Sequence, residues 1–203
     1  MAKNLSTAEP ALSTAQRILA AARDALLESG FAALSTRSVA ERAGVPLSQI
    51  HYHFGSKEQL ILAMLGEEND ALVRRQAQMF GLDLPLAERW NLACDYLDDD
   101  LDSGYVRVLQ EMMAAGWSST EVRDAVGELL GGWTSVLTDA VEAGRAAGDS
   151  FGAFGTAEIV ALVMSAFLGA ESIILLGLDR DQLPIRGALR RVGEALTAME
   201  SRR

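Results

Sequence analysis

The chain has 203 residues, of which 49% are hydrophobic, 23% charged and 6% aromatic, a composition that excludes a disordered, collagen-like or disulfide-stapled protein. The net charge of −10 is uneven, with 6 Lys/Arg against 5 Asp/Glu in residues 1–65 and 12 against 23 in residues 66–203. A polyanion is repelled by the second part and tolerated only by the first, which also contains both histidines.

Residues 1–13 are polar and alanine-rich, without the basic stretch and apolar run of an export signal. With a single cysteine, Cys94, expected as a small buried residue, the chain reads as a cytoplasmic protein of a reducing compartment. Ser13-Thr14-Ala15-Gln16 has the form of a capping box, and Ile18, Ala22, Ala25 and Leu26 follow at helical spacing before Gly30 offers a stop. Ser35 can cap a second helix over 36–43, closed by Gly44. A third, short helix starts at Pro46-Leu47 and ends by Gly55, and Ser56-Lys57-Glu58-Gln59 then launches a long one towards Gly81.

Beyond Pro85 the periodicity predicts helices over 86–102, 105–116, 119–146, 156–177 and 185–200, with Ser118-Ser119-Thr120-Glu121 as a further capping box. Alternating β-branched runs are missing, so the fold class is all-α with about nine helices. Residues 159–178 are long enough to cross a bilayer but contain Ser165, Glu171 and Ser172, and no membrane association is expected. Because 156–177 is apolar almost all round, both of its sides should be buried, the second at a subunit interface. Leu189, Val192, Leu196 and Met199 of the last helix can complete a four-helix packing across a two-fold axis, which makes a homodimer the expected assembly.

Two short helices joined by a glycine turn and braced by a longer first helix fit a helix-turn-helix, the device that lays a helix in the DNA major groove. The third helix is poor core material. Ile50 and Phe54 can anchor it inward, leaving Leu47, Ser48, His51 and Tyr52 to meet base edges. Thr36, His53 and Lys57 suit phosphate oxygens, and Arg37 opens the preceding helix.

The run from Gly30 to Val45, GFAALSTRSVAERAGV, continued by Ile50-His51-Tyr52-His53-Phe54-Gly55-Ser56-Lys57-Glu58-Gln59-Leu60, resembles the DNA-binding domain of TetR-family transcriptional regulators. The resemblance implies a helix-turn-helix DNA-binding domain over 14–65 and a helical domain over 66–203 that binds a small-molecule effector and dimerises. It assigns DNA contact to Thr36, Arg37, Leu47, Ser48, His51, Tyr52, His53 and Lys57, on a pseudo-palindromic double-stranded operator, and it favours a repressor. His51 departs from the tyrosine of many relatives, so that contact's base preference does not carry over.

Other chemistry finds little support. His51 and His53, two apart on a helix, point away from each other, so no metal site is expected. Asp98 to Gly104 opens like a calcium loop but lacks its glycine and its bidentate glutamate. Phosphate-binding, zinc-protease and serine-hydrolase motifs are missing, so neither catalysis nor a cofactor is expected. In the second domain Trp90, Met112, Met113, Trp117, Trp133, Met164 and Phe167 are the candidate effector contacts, with Glu111 and Glu142 as carboxylates for a cationic ligand if buried. The competing reading is an all-α small-molecule-binding protein or enzyme whose helix-turn-helix is merely structural.

Overall fold

The cap spacings translate directly into backbone geometry. Ser13 Oγ accepts from the Gln16 N–H at 3.2 Å while Gln16 returns a bond to the Ser13 N–H at 2.9 Å, satisfying two amides that a helix start leaves open. Ser35 does the same with Ser38, and Ser56 Oγ accepts from the Gln59 N–H at 3.1 Å. The box expected at Ser118 does not form: Ser119 is the cap and accepts from the Val122 N–H, and valine at that position has no polar side chain to return the bond.

The computed structural model describes residues 12–149 and 151–200; residues 1–11, most of the polar, alanine-rich start, and the Met199 side chain lie outside them. Nine helices run through the described residues: α1 Thr14–Ala33, α2 Thr36–Ala43, α3 Leu47–Phe54, α4 Lys57–Phe80, α5 Leu86–Ser103, α6 Tyr105–Gly116, α7 Thr120–Ala146, α8 Thr156–Leu175 and α9 Ile185–Glu200. The expected stop at Gly30 appears as a kink, since its backbone takes φ 77° and the chain resumes helical form to Ala33. Extended structure among the described residues is limited to one bridge between Arg180 and Leu183.

The chain divides into two compact units, Met1–Met64 and Leu65–Arg203. In the first, Ile18, Ala22, Leu26, Val39, Ile50 and Leu60 form a closed apolar centre. Gly44 ends α2 with φ 64°, a left-handed value that only glycine adopts without strain. Its carbonyl and that of Ala43 accept from Arg17 Nη2 at 3.0 and 2.7 Å. This pins the α2 to α3 turn against α1.

In the second unit α5 packs on α8 and α9, and α6 on α7 and α8. Cys94, Leu97, Ala170 and Leu189 are the buried centre of the α5, α8 and α9 contact, and burial pushes the Cys94 thiol up to about 11, which makes it unreactive. α9 comes close to α5 at Gly193, where a Cβ would stand 2.4 Å from Asn91 Oδ1 and would displace that side chain. Charge reinforces the same contact: Arg186 bridges Asp98 at 2.7 Å and Asp179 at 2.6 Å, and Arg190 reaches Asp95 at 2.8 Å.

α8 has the length and apolar composition of a membrane span, yet it contacts α5, α6, α7 and α9. Its other face stays uncovered in a single chain. Ala161, Leu162, Ser165, Ala166 and Gly169 are exposed there, with Leu162 at 56%.

Candidate functional site

α3 is held by one fully buried side chain, Ile50, and by half-buried Phe54. An eight-residue helix carrying so little core leaves its remaining circumference to solvent. Ser48, His51, Tyr52 and His53 are exposed, Tyr52 at 81%, and Leu47 and Gln49 are partly covered. Tyr52 stacks edge-on against His53 at 5.0 Å, which limits the conformations of an otherwise free ring. The His51 Nδ1–H donates to the Gly55 carbonyl at 3.0 Å, so the ring is oriented with its Nε2 edge free. Arg37 is exposed and Thr36 half-buried at the start of α2.

Lys57 also has partners within its own domain. Its ammonium donates to the carbonyls of Phe31 at 2.8 Å and Leu34 at 3.1 Å and lies 4.0 Å from the centre of the Phe31 ring. Two of its three N–H groups are thus engaged within the domain, and it braces the end of α1 against the start of α4. Lys57→Ala should therefore lower the urea midpoint by an amount equivalent to about 1.5–3 kcal/mol, checked by equilibrium unfolding. A variant as stable as wild type would show that these bonds contribute nothing.

The second unit encloses a cavity of about 260 Å³ with almost wholly apolar walls. Trp90, Trp133, Met164 and Phe167 line it as expected, Trp90 and Phe167 meeting edge-on at 5.5 Å. Three expected contacts are not on the wall. Met112 and Met113 lie beyond Leu109, the last α6 residue to reach the cavity, and Met112 is instead fully buried core. Trp117 follows the end of α6, where the chain turns towards α7, and its ring is 87% exposed.

Polar groups on the wall were not singled out by sequence reasoning as ligand contacts. Asn69 Oδ1 accepts from Tyr105 Oη at 2.7 Å and from Trp133 Nε1 at 2.8 Å, fixing two rings at the cavity with one amide. Burial holds the Tyr105 hydroxyl protonated. Asp100 is 7% exposed and is paired with Arg75 at 2.8 Å; burial raises its pKa despite that partner. Glu171 receives one hydrogen bond, from Gln110 Nε2 at 2.9 Å, and burial with the nearby Asp100 charge pushes it up to about 7. Gln110 is itself held by the Ser172 hydroxyl at 2.8 Å. At the other end of α5, Arg89 donates to the Phe80 carbonyl at 3.4 Å and stands 4.0 Å from Asp149.

The carboxylates proposed from sequence lie elsewhere. Glu111 pairs with Arg107 at 3.2 Å, off the cavity wall, and Glu142 is exposed and accepts from the Thr156 hydroxyl. A lone carboxylate inside the apolar run of α8 was the available signal for Glu171.

Residues 18–64 match the family described as bacterial regulatory proteins, tetR family. An uncharacterized HTH-type transcriptional regulator of Mycobacterium tuberculosis (strain H37Rv) is 29% identical over 165 residues, covering 79% of this chain and 82% of the relative. Among solved structures, a TetR transcription regulator from Haloarcula marismortui superposes with a TM-score of 0.72 at 19% identity, over 90% of this chain and 95% of the other. FadR from Bacillus subtilis, solved in complex with stearoyl-CoA, does so with a TM-score of 0.72 at 15% identity, over 87% and 96%. These likenesses show the fold.

Proposed function

We propose, from the premise that this chain is a TetR-family transcriptional regulator, that it acts in the cytoplasm as a homodimeric repressor released from a pseudo-palindromic operator by a small apolar effector. The observation that carries the reading is α3: an exposed row of Ser48, His51 and Tyr52 on a helix anchored by buried Ile50. Such a row matches the donor and acceptor edges of the major groove. With its Nδ1–H given to Gly55, neutral His51 presents Nε2 as an acceptor, suited to the amino groups of adenine or cytosine. Thr36, Arg37 and His53 are assigned to phosphate oxygens, which position the helix without reading sequence.

The cavity supplies the second half of the reading. A ligand releases DNA only if it prefers the arrangement in which the two reading helices are wrongly spaced, and DNA must then weaken the ligand by the same factor. The cavity in the second unit, walled by two tryptophans, three phenylalanines and a methionine among other apolar residues, has the apolar character of a small-molecule site. Membership of a regulator family gives no reason to expect catalysis.

The test is selection of bound sequences from a pool of random duplexes. A two-half-site motif should emerge, and Tyr52→Ala should weaken binding to it by about 1–3 kcal/mol while relaxing discrimination at one position of each half-site. A pool that enriches no motif would overturn the reading.

A further inference from the structure

Resting on the effector reading above, we infer that the cavity is built for an amphiphile with an apolar body and a cationic nitrogen head, and that Glu171 is the residue that pairs with that head. The wall is apolar except at a few places, and those places call mostly for a hydrogen-bond donor. Glu171 reaches the cavity from α8 with a neutral amide, Gln110 Nε2, as its one partner, and no cation pairs with it among the described residues. A carboxylate taken out of water without a counter-charge is costly, and a ligand cation removes that cost.

Neighbouring charges do not supply the missing partner. Arg75 is committed to both oxygens of Asp100 at 2.8 Å. Gln76, the next residue of α4 and 6% exposed, lines the same cavity with an Oε1 that has no hydrogen-bond partner. That is an independent, unfilled request for a donor. Arg107 and Glu111 on α6 neutralise each other at 3.2 Å, and α7 and α9 contribute uncharged residues to the wall.

One group argues for the opposite ligand and has to be weighed. Arg89 also lines the cavity, and its Nε has no partner. It stands eleven residues before Asp100 on α5, about 16 Å along the helix at 1.5 Å per residue, and Asp149 already lies 4.0 Å from its guanidinium. An acidic ligand seated there would leave Glu171 and Gln76 Oε1 unsatisfied. A cationic one satisfies the more deeply uncompensated end.

Three probes of equal chain length separate the possibilities: dodecylamine, dodecanol and dodecanoate, titrated at pH 8 into the full-length protein and into Glu171→Gln, with fluorescence of Trp90 and Trp133 as the signal. Dodecylamine should bind wild type at least tenfold more tightly than either other probe, and Glu171→Gln should abolish that preference while still binding dodecanol. Retained dodecanol binding also shows that the variant keeps its cavity. Dodecanoate binding most tightly, or the amine preference surviving in Glu171→Gln, would overturn the inference. Equal affinities for all three would overturn it while leaving the effector cavity standing, and binding of none would remove both.

Discussion

Ala166→Arg should convert the protein from dimer to monomer and lower operator affinity by about 10²–10⁴-fold, the contribution of reading two half-sites at once. The reasoning starts from α8, whose outward face carries Ala161, Leu162, Ser165, Ala166 and Gly169, with Leu162 56% exposed and Leu176, just past its end, 72% exposed. Val192 on α9 adds another apolar group at 41%. A contiguous apolar face of this kind is unusual on a monomer, and its small residues let a second helix approach closely. An arginine at the position of Ala166 would have to bury its charge without a partner, which costs several kcal/mol, and separation of the subunits avoids this. Sedimentation at micromolar concentration gives the assembly state, and titration of the selected operator gives the affinity. A wild-type monomer, or an Ala166→Arg protein that remains dimeric, would remove α8 from the interface. Loss of dimerisation with full operator affinity would sever assembly from DNA reading.

The helices were legible because their ends are local chemistry. Ser13 with Gln16, Ser35 with Ser38 and Gly44 with its left-handed backbone each act within four residues, so their effect is written in adjacent letters. The identity of α3 was legible for a related reason: polar and aromatic residues on a short helix have no core to join, and Ile50 with Phe54 four residues on marks its inner side. The cavity was only half legible. Trp90, Trp133, Met164 and Phe167 face it, but the same residue types at Met112, Met113 and Trp117 do not, because position along α6 and the turn after Gly116 decide where they lie. The bracing role of Lys57 was not legible, because a cation at a helix start suits a carbonyl as well as phosphate and its partners within the domain, Phe31 and Leu34, are 26 and 23 residues away in sequence. Glu171 shows the limit most plainly. In the sequence it is a charge interrupting an apolar run; its burial depends on α5, α6 and α8 closing around it.

That burial has a thermodynamic consequence which can be measured without any ligand. Glu171 is pushed from the usual 4.5 up to about 7 by desolvation, against a lowering by the Gln110 hydrogen bond and with a smaller push from the Asp100 charge. Asp100 is paired with Arg75 while burial raises its own pKa, and Tyr105 stays protonated; both groups are common to wild type and the Glu171 variant. The sign follows from proton counting. Between pH 4.5 and 7 the unfolded chain has released the proton and the folded chain retains it, so stability falls as pH rises through that window and levels off above it. A shift from 4.5 to about 7 corresponds to about 3 kcal/mol. Glu171→Gln keeps the shape of the side chain and has no proton to lose, so it should escape this penalty. The variant and wild type should be equally stable near pH 4.5, and the variant should be more stable by about 3 kcal/mol at pH 8. Urea unfolding across pH 4.5 to 8, at one protein concentration so that dimerisation contributes equally, provides the comparison, and charges common to both proteins cancel in the difference. Two stability curves that stay parallel over the whole range would mean that water or a rearranged cation reaches Glu171 in the folded protein, and the cavity would then offer a ligand cation no uncompensated charge to meet.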